Sequence, residues 1–303
     1  HGYDGAQPKT ATTGLEHIVL DGIAIDSPES VVEHIEKVVF PEAEKNLADI
    51  RADLPARQEA WNRATLDNER RMQEKIGPTM LKTAYGLVGF PGLRYFTYGY
   101  ANYFMAYALY PEVMEKDFKL QADYWELKNR ATARIYERNL LPPLTRLDHD
   151  MADSRGTLVD IRSLDRIWFP HFARVLAPLL ETPLKMIWHC DGNLSGMVPR
   201  LLEAGLHGFQ GFQYEDGMDY EKICRMKTRS GDSLVIIGGV SVTRTLPFGT
   251  PDDVRREIRW LVEQGPSTGL FLGGSSSIAP GVSWENLATM AEGFKYYREH
   301  GRG

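Results

Sequence analysis

The second half of the chain alternates apolar segments of strand length with amphipathic helical segments, at a period of roughly thirty residues, the size of one βα unit. Four such units follow one another. The segment 184–189 leads to a helical stretch near Ser195 to Glu203, with Met197, Val198, Leu201 and Leu202 on one face. Pro199 is tolerated in its first turn and Gly205 stops it. The segment 208–213 precedes a helix with Asp219 as N-cap, turning Tyr220, Ile223 and Cys224 inward. The segment 233–239 precedes Thr250-Pro251-Asp252-Asp253, an N-cap threonine followed by proline and first-turn acids. Val254, Ile258, Leu261 and Val262 form that helix's buried stripe. The segment 269–272 runs through a serine-rich loop into a helix from Trp284 to about Glu299.

Upstream, Lys82 to Val88 and Leu144 to Leu147 read as strands, with a helix from Pro111 to about Asn139 between them and another from Ser163 to about Leu180 after them. Six strands alternating with helices predict a parallel α/β fold of the (β/α)8 TIM-barrel type, which needs about 250 residues. The 303 residues suffice, leaving two strands to be located. Near the start, 17–20 and 23–26 flank Asp21-Gly22, the signal of a type I′ hairpin. The charged stretch from Glu42 to Lys75 reads as one or two surface helices interrupted at Pro55. The expected organisation is therefore a single domain, with 1–76 as amino-terminal decoration and 77–303 as barrel core. Because the chain starts at His1 and 2–14 is small and polar, residues upstream are also expected.

Net charge is −6, from 35 basic and 41 acidic residues without a long basic block. This argues against nucleic acid or an anionic membrane as partner and for a small ligand. Two cysteines, Cys190 and Cys224, make no disulfide framework, so a reducing cytoplasm is the expected compartment. No secretory signal or transmembrane run is evident.

The chemistry concentrates where the 184–189 strand ends, at His189-Cys190-Asp191-Gly192-Asn193. The carboxyl ends of strands are where α/β proteins place their sites. In a regular strand His189 and Asp191 point to one side and Cys190 to the other. The pair could ligate a metal through nitrogen and oxygen, or hydrogen-bond a substrate without one. Asp148-His149-Asp150 ends another strand and offers Asp150, with His149 turned aside as a capping or binding group; its bland reading is a solvated loop. Tyr214-Glu215 follows the 208–213 strand, with Glu215 a candidate general acid if it converges with His189. Gly238-Gly239-Val240-Ser241 permits close backbone approach to a ligand, but lacks dinucleotide-binding spacing. The aromatic run from Tyr95 to Tyr110 fits core packing best, with a pocket wall or a homodimer face as alternatives.

These segments, with Leu201-Leu202-Glu203-Ala204-Gly205, Gly217-Met218-Asp219, Ile237-Gly238-Gly239-Val240 and Leu246-Pro247-Phe248-Gly249-Thr250-Pro251, resemble the uroporphyrinogen decarboxylase superfamily. The similarity covers roughly the last three quarters of the chain. It implies a (β/α)8 barrel with its site at the strands' carboxyl ends. It also implies one of two activities, a cofactor-free porphyrinogen decarboxylase or a methyltransferase that exchanges methyl groups with a corrinoid protein. The decarboxylases carry an Arg-Gln-Ala-Gly-Arg type motif and a Phe-Ser-Asp type aspartate, and neither occurs here. Thiol-methylating members build a zinc site from His-X-Cys and a distant cysteine. Here Asp191 fills that cysteine's position, and Gly273-Gly274-Ser275-Ser276-Ser277 has no cysteine.

The expectation is thus a methyltransferase acting on a small methoxylated or methylated compound. Its candidate catalytic residues are His189, Asp191, Glu215 and Asp150; Asn193, His149, Tyr214, Gly239, Ser241 and Ser276 are candidates for substrate binding. The resemblance implies a corrinoid on a partner protein as cofactor, with zinc at His189 and Asp191 if a metal is bound, and no cofactor for a decarboxylase. A non-catalytic ligand-binding barrel is the third reading.

Overall fold

A computed structural model of the chain describes residues 18–302. They form two compact units, one made of 18–67, 89–133 and 162–178, the other of 68–88, 134–161 and 179–302.

In the first unit, β1 (Val19–Leu20) and β2 (Ile23–Ala24) form an antiparallel hairpin. Asp21 and Gly22 between them have φ of +50° and +82°, the left-handed pair that a type I′ turn requires. His17, expected to start the hairpin, lies outside the described residues. Two helices, Phe40–Ala52 and Leu54–Ile76, break at Asp53, which places Pro55 in the first turn of the second helix, where its missing N–H costs nothing. The aromatic run packs inward: Tyr95, Tyr98, Tyr103 and Tyr107 are all buried. Tyr98 Oη pairs with His34 Nδ1 at 3.0 Å, and Arg94 clamps buried Asp117 with bonds of 2.8 and 2.9 Å. The run is core.

The helix expected over 163–180 is broken. Ile161–Ile167 and Phe169–Leu176 are separate helices followed by a 3-10 turn, Ala177–Leu179. Trp168, at φ −116°, separates the two helices while its indole donates to the Pro91 carbonyl at 2.8 Å, and Pro170, which has no N–H, stands in the first turn of the second.

The second unit holds the sheet, formed by β3 (Ala84–Tyr85), β4 (Leu144–Asp148), β7 (Lys185–His189), β8 (Gly208–Gln210), β9 (Val235–Val240) and β10 (Leu270–Gly274). Between β4 and β7 lies a small hairpin, β5 (Ala152–Asp153) and β6 (Gly156–Thr157). All six sheet strands are parallel and follow chain order, β3-β4-β7-β8-β9-β10, the arrangement of a (β/α)8-type barrel. The two further strands that eightfold closure requires are not found among the described residues, so β3 and β10 are edges. The expected 82–88 strand shortens to two residues, and β8 ends at Gln210 because Gly211, at φ +84°, turns the chain.

Capping follows the sequence signals. Thr250 and Asp253 form a reciprocal capping box on the helix Pro251–Gln264, Asp219 caps Tyr220–Arg225, and Ser283 caps Trp284–His300. The stripe Val254, Ile258, Leu261 and Val262 is buried as expected. The helix after β7 begins at Val198 rather than Ser195, keeping Pro199 in its first turn.

His207 joins two strands through its ring, since Nδ1 accepts from the Met186 N–H at 3.2 Å. Burial first, and then the Lys185 cation, lowers its pKa to about 4 against an opposing effect of Asp232. Below about pH 6.5 the unfolded chain takes up a proton that the folded ring refuses, so stability present above that pH is lost as pH falls toward 4. The loss is up to about 3 kcal/mol. Denaturant midpoints measured across this window should fall less steeply for His207→Gln; identical slopes would show that another group governs the acid limb.

Candidate functional site

In β4, Thr145 and Leu147 are buried, whereas Leu144, Arg146 and Asp148 lie on the other face. In register, Asp148 sits beside His189, and His189 beside Gln210. Polar side chains therefore line up near the carboxyl ends of three adjacent strands.

His189 is only 9% exposed, and its Nδ1 is buried without a hydrogen-bond partner among the described residues. Gly211 makes this packing possible, because a β-carbon there would stand 2.7 Å from that nitrogen. On the other side of the ring, Nε2 lies 3.9 Å from Asp191 Oδ1, which is likewise buried and unpartnered among the described residues. Asp191 Oδ2 accepts from Ser276 Oγ at 3.1 Å, and its backbone N–H reaches Asp150 Oδ1 at 3.4 Å. Burial raises the pKa of Asp191; nearby Asp150 and Asp148 add to this, while His189 and Ser276 oppose it. The structure thus gathers His189, Asp191, Asp150 and Ser276.

Cys190 faces the other way. Its Sγ accepts from Met151 N at 3.3 Å and donates to the Asp191 carbonyl at 3.0 Å, and burial pushes its pKa up to about 12. Such a thiol is inert as a nucleophile at neutral pH. Gly192, at φ +83°, passes close to the Asp153 backbone, and its N–H donates to Gln213 Oε1. Asn193 makes an Asx-type turn, with Oδ1 accepting from Ser195 N and Oγ at 3.2 and 2.6 Å. His149 donates its backbone N–H to the His189 carbonyl at 3.4 Å, and burial pulls its imidazole down to about 4. It is therefore neutral at physiological pH.

Glu215 belongs to a second group. Its Oε1 accepts from Ser241 Oγ at 2.6 Å and from Thr243, while Oε2 is buried without a partner among the described residues. Tyr214 Oη donates to the Gly239 carbonyl at 3.4 Å. Gly239 uses its missing side chain against the β10 backbone, where a β-carbon would come within 2.1 Å of the Gly274 carbonyl carbon.

Two residues outside the sequence-based set stand out. Arg146 donates to Gln210 Oε1 and Asp148 Oδ2, each at 2.8 Å, and lies 4.6 Å from the Tyr85 ring centre; Tyr85 Oη in turn donates to Asp148 at 3.0 Å. The alternation in Leu144-Thr145-Arg146-Leu147-Asp148 carried this signal, since it puts Arg146 on the face of Asp148. The other is Glu257, on the Pro251–Gln264 helix. Its Oε1 accepts from Ser241 N at 2.9 Å, Oε2 is buried and unpartnered among the described residues, and burial raises its pKa to about 7.

Holding Glu257 ionised costs stability as pH rises from about 4.5 through 7, because the unfolded carboxyl gives up its proton first. The penalty reaches up to about 3 kcal/mol above pH 7. Glu257→Gln should keep the bond from Ser241 and raise the melting temperature at pH 8 while leaving it unchanged near pH 4.5; a loss at both pH values would contradict the assignment.

The residues present do not make up a zinc centre. Zinc sites use four protein ligands, or three plus a water or substrate. Among the described residues, no group of three or more histidine, cysteine, aspartate or glutamate side chains is placed to hold an ion, and His189 and Asp191 supply two donors. No described helix is long and apolar enough to cross a membrane.

Residues 150–297 match the family model for uroporphyrinogen decarboxylase. Among solved structures, the chain is similar to a methyltransferase from Methanosarcina mazei, at 15% identity and a TM-score of 0.55, over 77% of this chain and 64% of that one. The match thus spans less than two thirds of that methyltransferase, and the likeness is one of fold. Comparison with curated proteins found no match.

Proposed function

Because this chain belongs to the uroporphyrinogen decarboxylase superfamily, we propose that it moves a methyl group between a small methoxylated or methylated compound and a corrinoid carried by a partner protein. The observation that carries this reading is the approach of His189 Nε2 to Asp191 Oδ1, at 3.9 Å at the end of β7, where that carboxylate oxygen is buried without a hydrogen-bond partner among the described residues. The methyltransferase fold of the Methanosarcina mazei relative supports it.

In this reading the small substrate sits at the carboxyl ends of β4, β7 and β8. An ether oxygen leaves poorly as an anion, so a proton delivered to it lowers the barrier to breaking its methyl bond. His189 Nε2 is placed to supply that proton, and Asp191 to orient and stabilise the imidazolium. Ser276 holds Asp191, and Asp150 fixes the backbone on which Asp191 sits. A corrinoid on the partner protein would supply the acceptor for the methyl group. A porphyrinogen decarboxylase needs several cations converging on carboxylates, whereas the cation seen on this face, Arg146, is already paired with Asp148.

Mixing the purified chain with a reduced corrinoid protein and a panel of methoxylated aromatics and methylated amines tests the proposal. Methyl–cobalt absorbance should appear with at least one donor. Absence of methylation across the panel would overturn it.

A further inference from the structure

We infer that the methyl donor is an aryl methyl ether, its ring lying over Ile237 and Phe271 and its ether oxygen at His189, with Phe271 as the residue that selects for the ring. The inference rests on the methyltransferase reading and names its substrate class.

One row of side chains crosses five neighbouring strands. In register, Asp148 stands beside His189, His189 beside Gln210, Gln210 beside Ile237 and Ile237 beside Phe271. Register partners in parallel strands point to the same side, so these five share one face of the sheet. The opposite face belongs to the helices, since Ile236 and Val240 are fully buried and a β-carbon on Gly238 would stand 3.1 Å from the Tyr220 ring. Along the row the chemistry changes from a carboxylate and an imidazole, through a carboxamide, to two hydrocarbon side chains.

Phe271 is 50% exposed. A lone exposed phenylalanine is ordinary on a protein surface, but this one continues the row that holds His189. The space beside it is open, because a β-carbon on Gly273, two residues on along the same face, would meet no atom of the described residues within 4 Å. Neighbouring strands lie about 4.8 Å apart, which sets the His189 and Phe271 backbones about 14 Å apart, with Gln210 and Ile237 as the floor between them. A donor with an apolar ring covers Ile237 and Phe271 while its oxygen meets the imidazole. A methylated ammonium would instead be stripped of water against those hydrocarbons, because the carboxylate of this row, Asp148, is already paired with Arg146.

The chemistry balances with the acid role of His189. The bond that breaks joins the methyl carbon to the ether oxygen, and its electron pair stays on oxygen. That oxygen takes the proton from His189 Nε2 and leaves as a neutral phenol. The pair for the new bond to the methyl carbon comes from the reduced acceptor on the partner protein, a cobalt(I) corrinoid, which is formally oxidised by two electrons. The imidazole regains its proton from water once the phenol has gone.

Titration calorimetry of the full chain with anisole and with methoxycyclohexane, its saturated counterpart, tests the inference. Anisole should bind about threefold or more tighter than methoxycyclohexane and lose about tenfold in Phe271→Ala. Gly273→Leu, which fills the open space, should block anisole as well, and gives a second reading if the first variant does not fold. No binding of anisole, equal affinity for the two ethers, or anisole binding unchanged in either folded variant would overturn the inference. Phe271-dependent anisole binding without methyl transfer to a corrinoid protein from any donor would uphold the ring site and remove the methyltransferase reading. Transfer from methylated amines without anisole binding would do the reverse.

Discussion

Gly239→Ala should lower the stability of the chain by about 3 kcal/mol, whereas Gly273→Ala, across the same strand pair, should change it little. The two glycines are register partners in β9 and β10. A β-carbon on Gly239 would lie 2.1 Å from the Gly274 carbonyl carbon and 2.3 Å from both its oxygen and Ser275 N. No atom lies within 4 Å of the corresponding position on Gly273. The obstacle at Gly239 is backbone, so no rotamer change can relieve it, and β10 must move away from β9. That movement would strain the bonds from Ser275 N to the Val240 carbonyl and from Val242 N to Ser275 Oγ, which tie the two loops together. Urea denaturation of both variants checks this. Equal midpoints would mean that the strands tolerate the displacement.

His189→Ala should slow methyl transfer by at least about 100-fold while leaving the fold intact, the range expected when a positioned acid or base is removed. The imidazole closes the end of β7, is packed under Gly211, and brings Nε2 to 3.9 Å from Asp191 Oδ1. Its backbone carbonyl still accepts from His149 N whatever the side chain, so the strand end keeps its main-chain bond. Loss of rate with an unchanged circular dichroism spectrum assigns the effect to the ring. An unchanged rate would move the chemistry to the Glu215–Ser241 group.

Much of this architecture is legible in the sequence because it depends on local signals. Thr250, Asp219 and the Asp21-Gly22 turn each encode their structure within four residues, and the buried stripe Val254, Ile258, Leu261 and Val262 is a matter of spacing. The same period-two argument put His189 and Asp191 together and sent Cys190 away. What stayed hidden depends on tertiary contacts. The break at Trp168 is tied to an indole bond to Pro91, far away in the chain. Glu257 reads as an ordinary polar position on an amphipathic helix until Ser241 is found against it. Arg146 was visible in the alternation of its strand, beside Asp148, but its contacts with Gln210 and Tyr85 required two other strands, β8 and β3, to be in place.

The most direct test of the account follows methyl–cobalt absorbance with time after reduced corrinoid protein and a methylated donor are mixed with the wild-type chain and, in parallel, with His189→Ala. The account predicts transfer by the wild-type chain and a rate at least about 100-fold lower in the variant. Equal rates in the two, or no transfer by either, would contradict it.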